Sequence, residues 1–177
     1  MPQLPATSQH ESNPRLLAPP HGMKEILAMF GDHSEYLRPD GALDSKWQSE
    51  FLATASSPFP LLLAWDRTRY ISRFACHRLL SEVLTAVFHT IQEQGLQATV
   101  HSFGGCFAFR QQRAGSKLSA HSWGIALDLN PETNQQGTRG NMDVNLVALF
   151  RSAGFTWGGD WEGRTRDPMH FQFCTGY

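Results

Sequence analysis

The apolar positions of this chain change period several times along its length. Ile26, Leu27 and Phe30 recur at helical spacing after Gly22 and predict a short helix over about residues 22–30, stopped by Gly31. Residues 31–66 sustain no period and carry Pro39, Gly41, Pro58 and Pro60, the composition of a turn-rich stretch. The longest helical stripe runs from Phe74 to Gln94. Leu79, Leu80, Val83, Leu84, Val87, Phe88 and Ile91 share its face, and Gly95 ends it. Between Leu96 and Phe103 the pattern alternates, with Leu96, Ala98, Val100 and Ser102 against Gln97, Thr99 and His101; this predicts a strand that Gly104 and Gly105 break. A second strand is expected over Gly124–Asn130, then an exposed polar loop over 131–141. A helix over Met142–Ala153 follows, carrying Val144, Val147, Ala148 and Phe150 on its apolar side. Short strands at Phe155–Trp157 and Met169–Cys174 complete the order. Helices that precede and interrupt a few strands imply an α+β fold, a small antiparallel sheet with packed helices.

Composition narrows this picture. Residues 1–20 hold five prolines among polar residues and read as a flexible tail, leaving 21–177 as a single domain. Its motif-bearing core is 96–177. Of the 177 residues, 41% are hydrophobic and 18% charged, which is a globular balance with enough chain for a real core. A net charge of −1 gives no long-range pull on nucleic acid or an anionic membrane, so neither is an expected partner, and the chain is expected to act as a monomer. No run approaches the ~18 apolar residues that span a bilayer. The first twenty residues lack the basic and apolar regions of a secretory signal, so synthesis in the cytoplasm and delivery by another route are expected. Three cysteines (Cys76, Cys106 and Cys174) without a CxxC spacing point to buried thiols, with one Cys106–Cys174 bridge as the alternative.

Two segments carry the chemistry. Ser119-Ala120-His121-Ser122-Trp123-Gly124-Ile125-Ala126-Leu127-Asp128 and Asp167-Pro168-Met169-His170-Phe171 together offer two imidazoles and two carboxylates. A hydrolytic zinc site needs three nitrogen or oxygen ligands and one open position. His121, Asp128 and His170 supply them, and Asp128 alternates with Leu127 and Leu129 so that the carboxylate and the leucines face opposite ways. Amide hydrolysis also needs a group to take the proton from the attacking water and hand it to the leaving amine. Asp167, three residues before His170, is the first choice; Asp160 and Glu162 compete for the role. A developing oxyanion asks for a positive partner, and Arg110 and Arg113 both precede the first segment. Trp161, set among charge and glycine, is the tryptophan expected to line a cleft, and Ser119 is a candidate hydrogen-bonding partner of substrate.

These segments resemble the D-Ala-D-Ala carboxypeptidase and L-Ala-D-Glu endopeptidase family of zinc peptidases, within the group named for lysostaphin, D-Ala-D-Ala peptidases and sonic hedgehog. Its pattern, Ser-x-His-x-x-Gly-x-Ala-x-Asp followed by Asp/Glu-x-x-His, is met by Ser119, His121, Gly124, Ala126, Asp128, Asp167 and His170, and the likeness extends over about Gly104–Phe173. The resemblance implies a hedgehog/DD-peptidase-like fold with Zn2+ on the sheet. Its ligands would be His121, Asp128 and His170, with Asp167 as general base and Arg110, better placed than Arg113, on the scissile carbonyl. The implied substrate is the stem peptide of bacterial peptidoglycan. Aspartate at residue 167 looks more like the phage endolysin and L-Ala-D-Glu branch, which implies cell lysis after release through a holin pore or delivery by a secretion machine. The Trp123-Gly124 pair also occurs in carboxypeptidases, which keeps a D-Ala-D-Ala carboxypeptidase as the alternative. A zinc-containing cell-wall-binding module without catalysis is the alternative of another class.

Overall fold

The computed structural model describes residues 17–112 and 117–177. Four α-helices, α1 (Gly22–Phe30), α2 (Ser45–Phe51), α3 (Ser81–Glu93) and α4 (Val144–Ser152), accompany six strands: β1 (Leu52–Leu63), β2 (Asp66–His77), β3 (Phe103–Gly105), β4 (Ala126–Leu129), β5 (Thr156–Trp157) and β6 (His170–Gln172). The strands form one sheet in the order β2-β1-β3-β4-β6-β5. All neighbours are antiparallel except β1 and β3, which run parallel at Leu63 and Phe103. The α+β class agrees with the sequence, but the sheet is mixed rather than antiparallel.

The long β1–β2 hairpin replaces the expected turn-rich stretch. Alternate residues Ala55, Ser57, Phe59, Leu61 and Leu63 of β1 point into the core, a strand period that Pro58 and Pro60 conceal. Both prolines fall where the register to β2 slips between Ser56 and Leu61, so neither is asked to donate to the ladder. The hairpin also shortens the predicted helix at its start. Phe74–His77 pair with Leu52–Ala55, and α3 begins only at Ser81, after a 3-10 turn over Arg78–Leu80.

The alternation over Leu96–Phe103 does not produce a strand there. Gln97–Thr99 form a 3-10 turn, and Gly104 and Gly105 belong to β3 instead of breaking it. The Asn130 side chain takes the place of a ladder partner: its Oδ1 accepts from the His101 and Ser102 amides at 2.7 and 3.1 Å, and its Nδ2 donates to the Thr99 carbonyl at 2.8 Å. The loop over 131–141 is largely exposed, but Asn134 within it is fully buried; its carbonyl accepts from the Met169 amide just before β6. The core lies between α3, α4 and the sheet, where the Phe88 ring meets Phe59, Phe74 and Phe150. Cys76, Cys106 and Cys174 are buried free thiols.

Candidate metal centre

β4 lies between β3 and β6, and this places Asp128 opposite His170 on one side and Gly105 on the other. His121 arrives from a 3-10 turn over Ala120–Trp123. Ser119 caps that turn, accepting from the His121 amide, and Gly124 closes it at φ 66°. A Cβ at Gly124 would stand 2.8 Å from the His77 amide nitrogen, so the turn can approach β2 only without a side chain there. The turn is held from behind as well. Trp123 Nε1 donates to the Gly31 carbonyl at 2.8 Å, and His33 Nε2 donates to the Ser122 carbonyl at 2.8 Å while its ring stacks on Trp47 at 4.4 Å. Ser122 Oγ ties the turn to Arg110, donating to its carbonyl at 2.8 Å and accepting from its amide at 3.1 Å.

One ligand atom each from His121, Asp128 and His170 lies within 4.8 Å of the others, and all three side chains are buried. Their outer atoms fix what faces inward. His121 Nδ1 sits 2.7 Å from the Cys106 carbonyl, which can only accept, so Nδ1 carries the proton and the Nε2 lone pair faces Asp128 Oδ1 at 3.2 Å. Gln172 Nε2 donates to the Cys174 carbonyl, which turns Gln172 Oε1 toward His170 Nε2 at 3.0 Å. His170 Nε2 is therefore the protonated nitrogen, and its Nδ1 lone pair faces the same Asp128 oxygen at 3.0 Å. Two imidazole lone pairs and a carboxylate converge on one buried point with no donor of their own. Such a set can hold a cation, and two nitrogens with one oxygen suit Zn2+. Burial pushes the Asp128 carboxyl up, but the charges and hydrogen bonds of His121 and His170 outweigh it and hold it far below the ordinary carboxylate range. Burial likewise depresses His170, and the Asp128 hydrogen bond and charge, helped by the Asp167 charge, leave it raised.

The cluster opens onto a cleft of about 320 Å3 lined by Asp128, His170, Asp167, Arg110, Ser119 and Trp161, among others. Asp167 is half-buried at its edge, fixed by its amide donating to the Gly158 carbonyl at 2.9 Å and its carbonyl accepting from the His170 amide at 3.0 Å. The Trp161 ring centre lies 5.5 Å from that of His170. Arg110 Nη1 donates to the Gln111 carbonyl at 3.2 Å. Neither competitor for Asp167 lines this cleft: Asp160 is exposed and paired with Arg151, and Glu162 is exposed. Arg113 lies outside the described residues. Sequence reasoning missed Gln172, although its place two residues beyond His170 on a strand was a signal for the same face. It also missed the support from His33 and Trp47, which nothing local announces.

Residues 112–173 match the D-alanyl-D-alanine carboxypeptidase family. That family comprises zinc-dependent peptidases of peptidoglycan peptides, and the matched segment contains His121, Asp128, Asp167 and His170. The carboxypeptidase match stops short of Arg110, of the Cys106 carbonyl and of the whole β1–β2 hairpin. No curated protein matches the chain. Among the described residues no helix is long and apolar enough to cross a membrane.

Proposed function

We propose that this protein is a zinc peptidase that hydrolyses the stem peptide of bacterial peptidoglycan, as an L-Ala-D-Glu endopeptidase of the endolysin kind. The observation that carries the reading is the convergence of three buried acceptors beside a half-buried carboxylate in one cleft. His121, Asp128 and His170 would hold the metal on the sheet, in a hedgehog/DD-peptidase-like arrangement. When bound, zinc supplies Lewis-acid polarisation and an activated water. Asp167 takes the proton of the attacking water and delivers it to the leaving amine. The Arg110 side chain, which also lines the cleft, stabilises the developing oxyanion, and Ser119 and Trp161 position the peptide. The site then acts on the cell wall in the periplasm, reached through a holin pore or a secretion machine.

A D-Ala-D-Ala carboxypeptidase is the second reading, favoured by the description of the matching family. Mass spectrometry of digested muropeptides separates the two: loss of the whole tail after L-alanine supports the endopeptidase, loss of terminal D-alanine alone the carboxypeptidase. Chelator should abolish either activity. Asp167→Asn should lower kcat at least a hundredfold with zinc still bound, and full activity in that variant would remove Asp167 from its role. Binding to cell wall without release of any amine would instead indicate a catalytically inactive module.

A further inference from the structure

The metal centre has a second arm. On the side away from Asp167 lies a cavity of about 300 Å3 lined by Trp65, Gly104, Gly105, Arg110, His121 and Asp128. Trp65 forms its outer wall from the turn between β1 and β2, with 66% of its surface exposed. The ring lies against Gly105, which pairs with Asp128 across β3 and β4: a Cβ on Gly105, at φ 107°, would touch the ring at 3.6 Å. The turn that carries the ring is anchored. Ala64 donates its amide to the Phe103 carbonyl at 3.0 Å, and Asp66 accepts from the Thr68 amide and hydroxyl. Arg67 pairs with Glu132 at 3.3 Å, and Glu132 in turn accepts the Ser102 hydroxyl. An exposed indole carried on an anchored turn at this cavity, yet serving no core, is a surface presented for binding.

We infer that Trp65 is the platform of a saccharide subsite, which takes the sugar attached to the amino end of the substrate peptide. The inference rests on the endopeptidase reading above. Its direction follows from proton delivery. Asp167 gives its proton to the leaving amine, so the fragment carrying that amine occupies the Asp167 arm. The acyl side, toward the amino end, then extends into the Trp65 arm. In peptidoglycan the stem peptide hangs by its first residue from an amino sugar. Cleavage after that first residue brings the sugar within one residue of the metal. A D-Ala-D-Ala bond would put it roughly 13 Å away along an extended chain. A hexose offers an apolar C–H face to the exposed indole.

The test compares Trp65→Ala and Trp65→Phe with wild-type holoenzyme on two substrates, a disaccharide-linked stem peptide and the same peptide without sugar. Trp65→Ala should raise KM for the sugar-linked substrate by about tenfold, the upper end of an aromatic contact. It should leave kcat and all free-peptide kinetics within twofold, and Trp65→Phe should recover most of the loss. Equal effects on both substrates, or none on either, would overturn the subsite. If wild-type enzyme cleaves neither substrate, the peptidase reading fails by itself. The subsite is then decided by titrating N-acetylglucosaminyl-N-acetylmuramic acid into 15N-labelled zinc-loaded protein: a shift of the Trp65 indole N–H supports it, and an unmoved signal at millimolar sugar overturns it.

Discussion

Gln172 makes a specific demand on the metal centre. Its Oε1 accepts from His170 Nε2 at 3.0 Å, and its own amide is oriented by donation to the Cys174 carbonyl. Replacing it with leucine keeps the volume but leaves the His170 Nε2–H, fully buried, without its acceptor. An unsatisfied buried donor costs about 1–3 kcal/mol. Rotation of the ring to find another partner would take Nδ1 off the point it shares with His121 and Asp128. Either route weakens zinc binding by about 10–100-fold, the usual scale for loss of a ligand's outer partner. Competition against a chromophoric chelator measures this directly, and the melting temperature of the apo protein separates a lost fold from a lost ligand geometry. Gln172→Glu retains an acceptor and should bind zinc at least as tightly as wild type. Unchanged zinc affinity in Gln172→Leu, or a loss of the same size in Gln172→Glu, would refute the argument that Gln172 sets the His170 tautomer.

Two other perturbations act through different physics. A Cβ on Gly104 would stand 2.8 Å from the Asp128 Cβ, so Gly104→Ala must push β3 and β4 apart; it should cost about 1–3 kcal/mol in denaturant melts and weaken zinc binding with it, and wild-type values for both would contradict the close approach. His77 is fully buried, and burial, aided by the Arg78 and His33 charges against a raising Phe30 carbonyl, lowers its pKa to about 4. The unfolded chain therefore takes up a proton near pH 6.5 that the folded chain refuses until about pH 4. Stability should be full above pH 6.5 and fall by about 3 kcal/mol as the pH drops to about 4, with the buried His33 adding to the same slope; urea melts across that range should show it, His77→Asn should flatten it, and a pH-independent wild type would refute it.

The sequence was most legible where local pattern and chemistry coincide. The α1 helix, the β4 strand and the convergence of His121, Asp128 and His170 each follow from short-range signals: a helical stripe, alternation around Asp128, and residues of ligand type spaced around a permissive Gly124. The β1–β2 hairpin was hidden because Pro58 and Pro60 read as breakers, and only the register slip opposite them shows how a strand accommodates both. The Phe74–His77 segment looked helical since its apolar residues continue the α3 stripe, but pairing with Leu52–Ala55 is a contact between distant residues that no window reveals. Leu96–Phe103 alternates like a strand yet is held by one side chain, Asn130, some thirty residues on. The same holds at the site. His121 and His170 announce themselves, whereas the atoms that set their tautomers, the Cys106 carbonyl and Gln172, matter through geometry that forms only on folding.

The claim on which the rest depends is that His121, Asp128 and His170 together hold the catalytic metal. X-ray absorption at the zinc edge of the loaded protein tests it most directly. One zinc per chain is expected, surrounded by nitrogen and oxygen alone at about 2.0–2.2 Å. In Asp128→Ala the ion should be lost or its oxygen shell changed. A sulfur neighbour at about 2.3 Å, or a spectrum unaltered by Asp128→Ala, would contradict it.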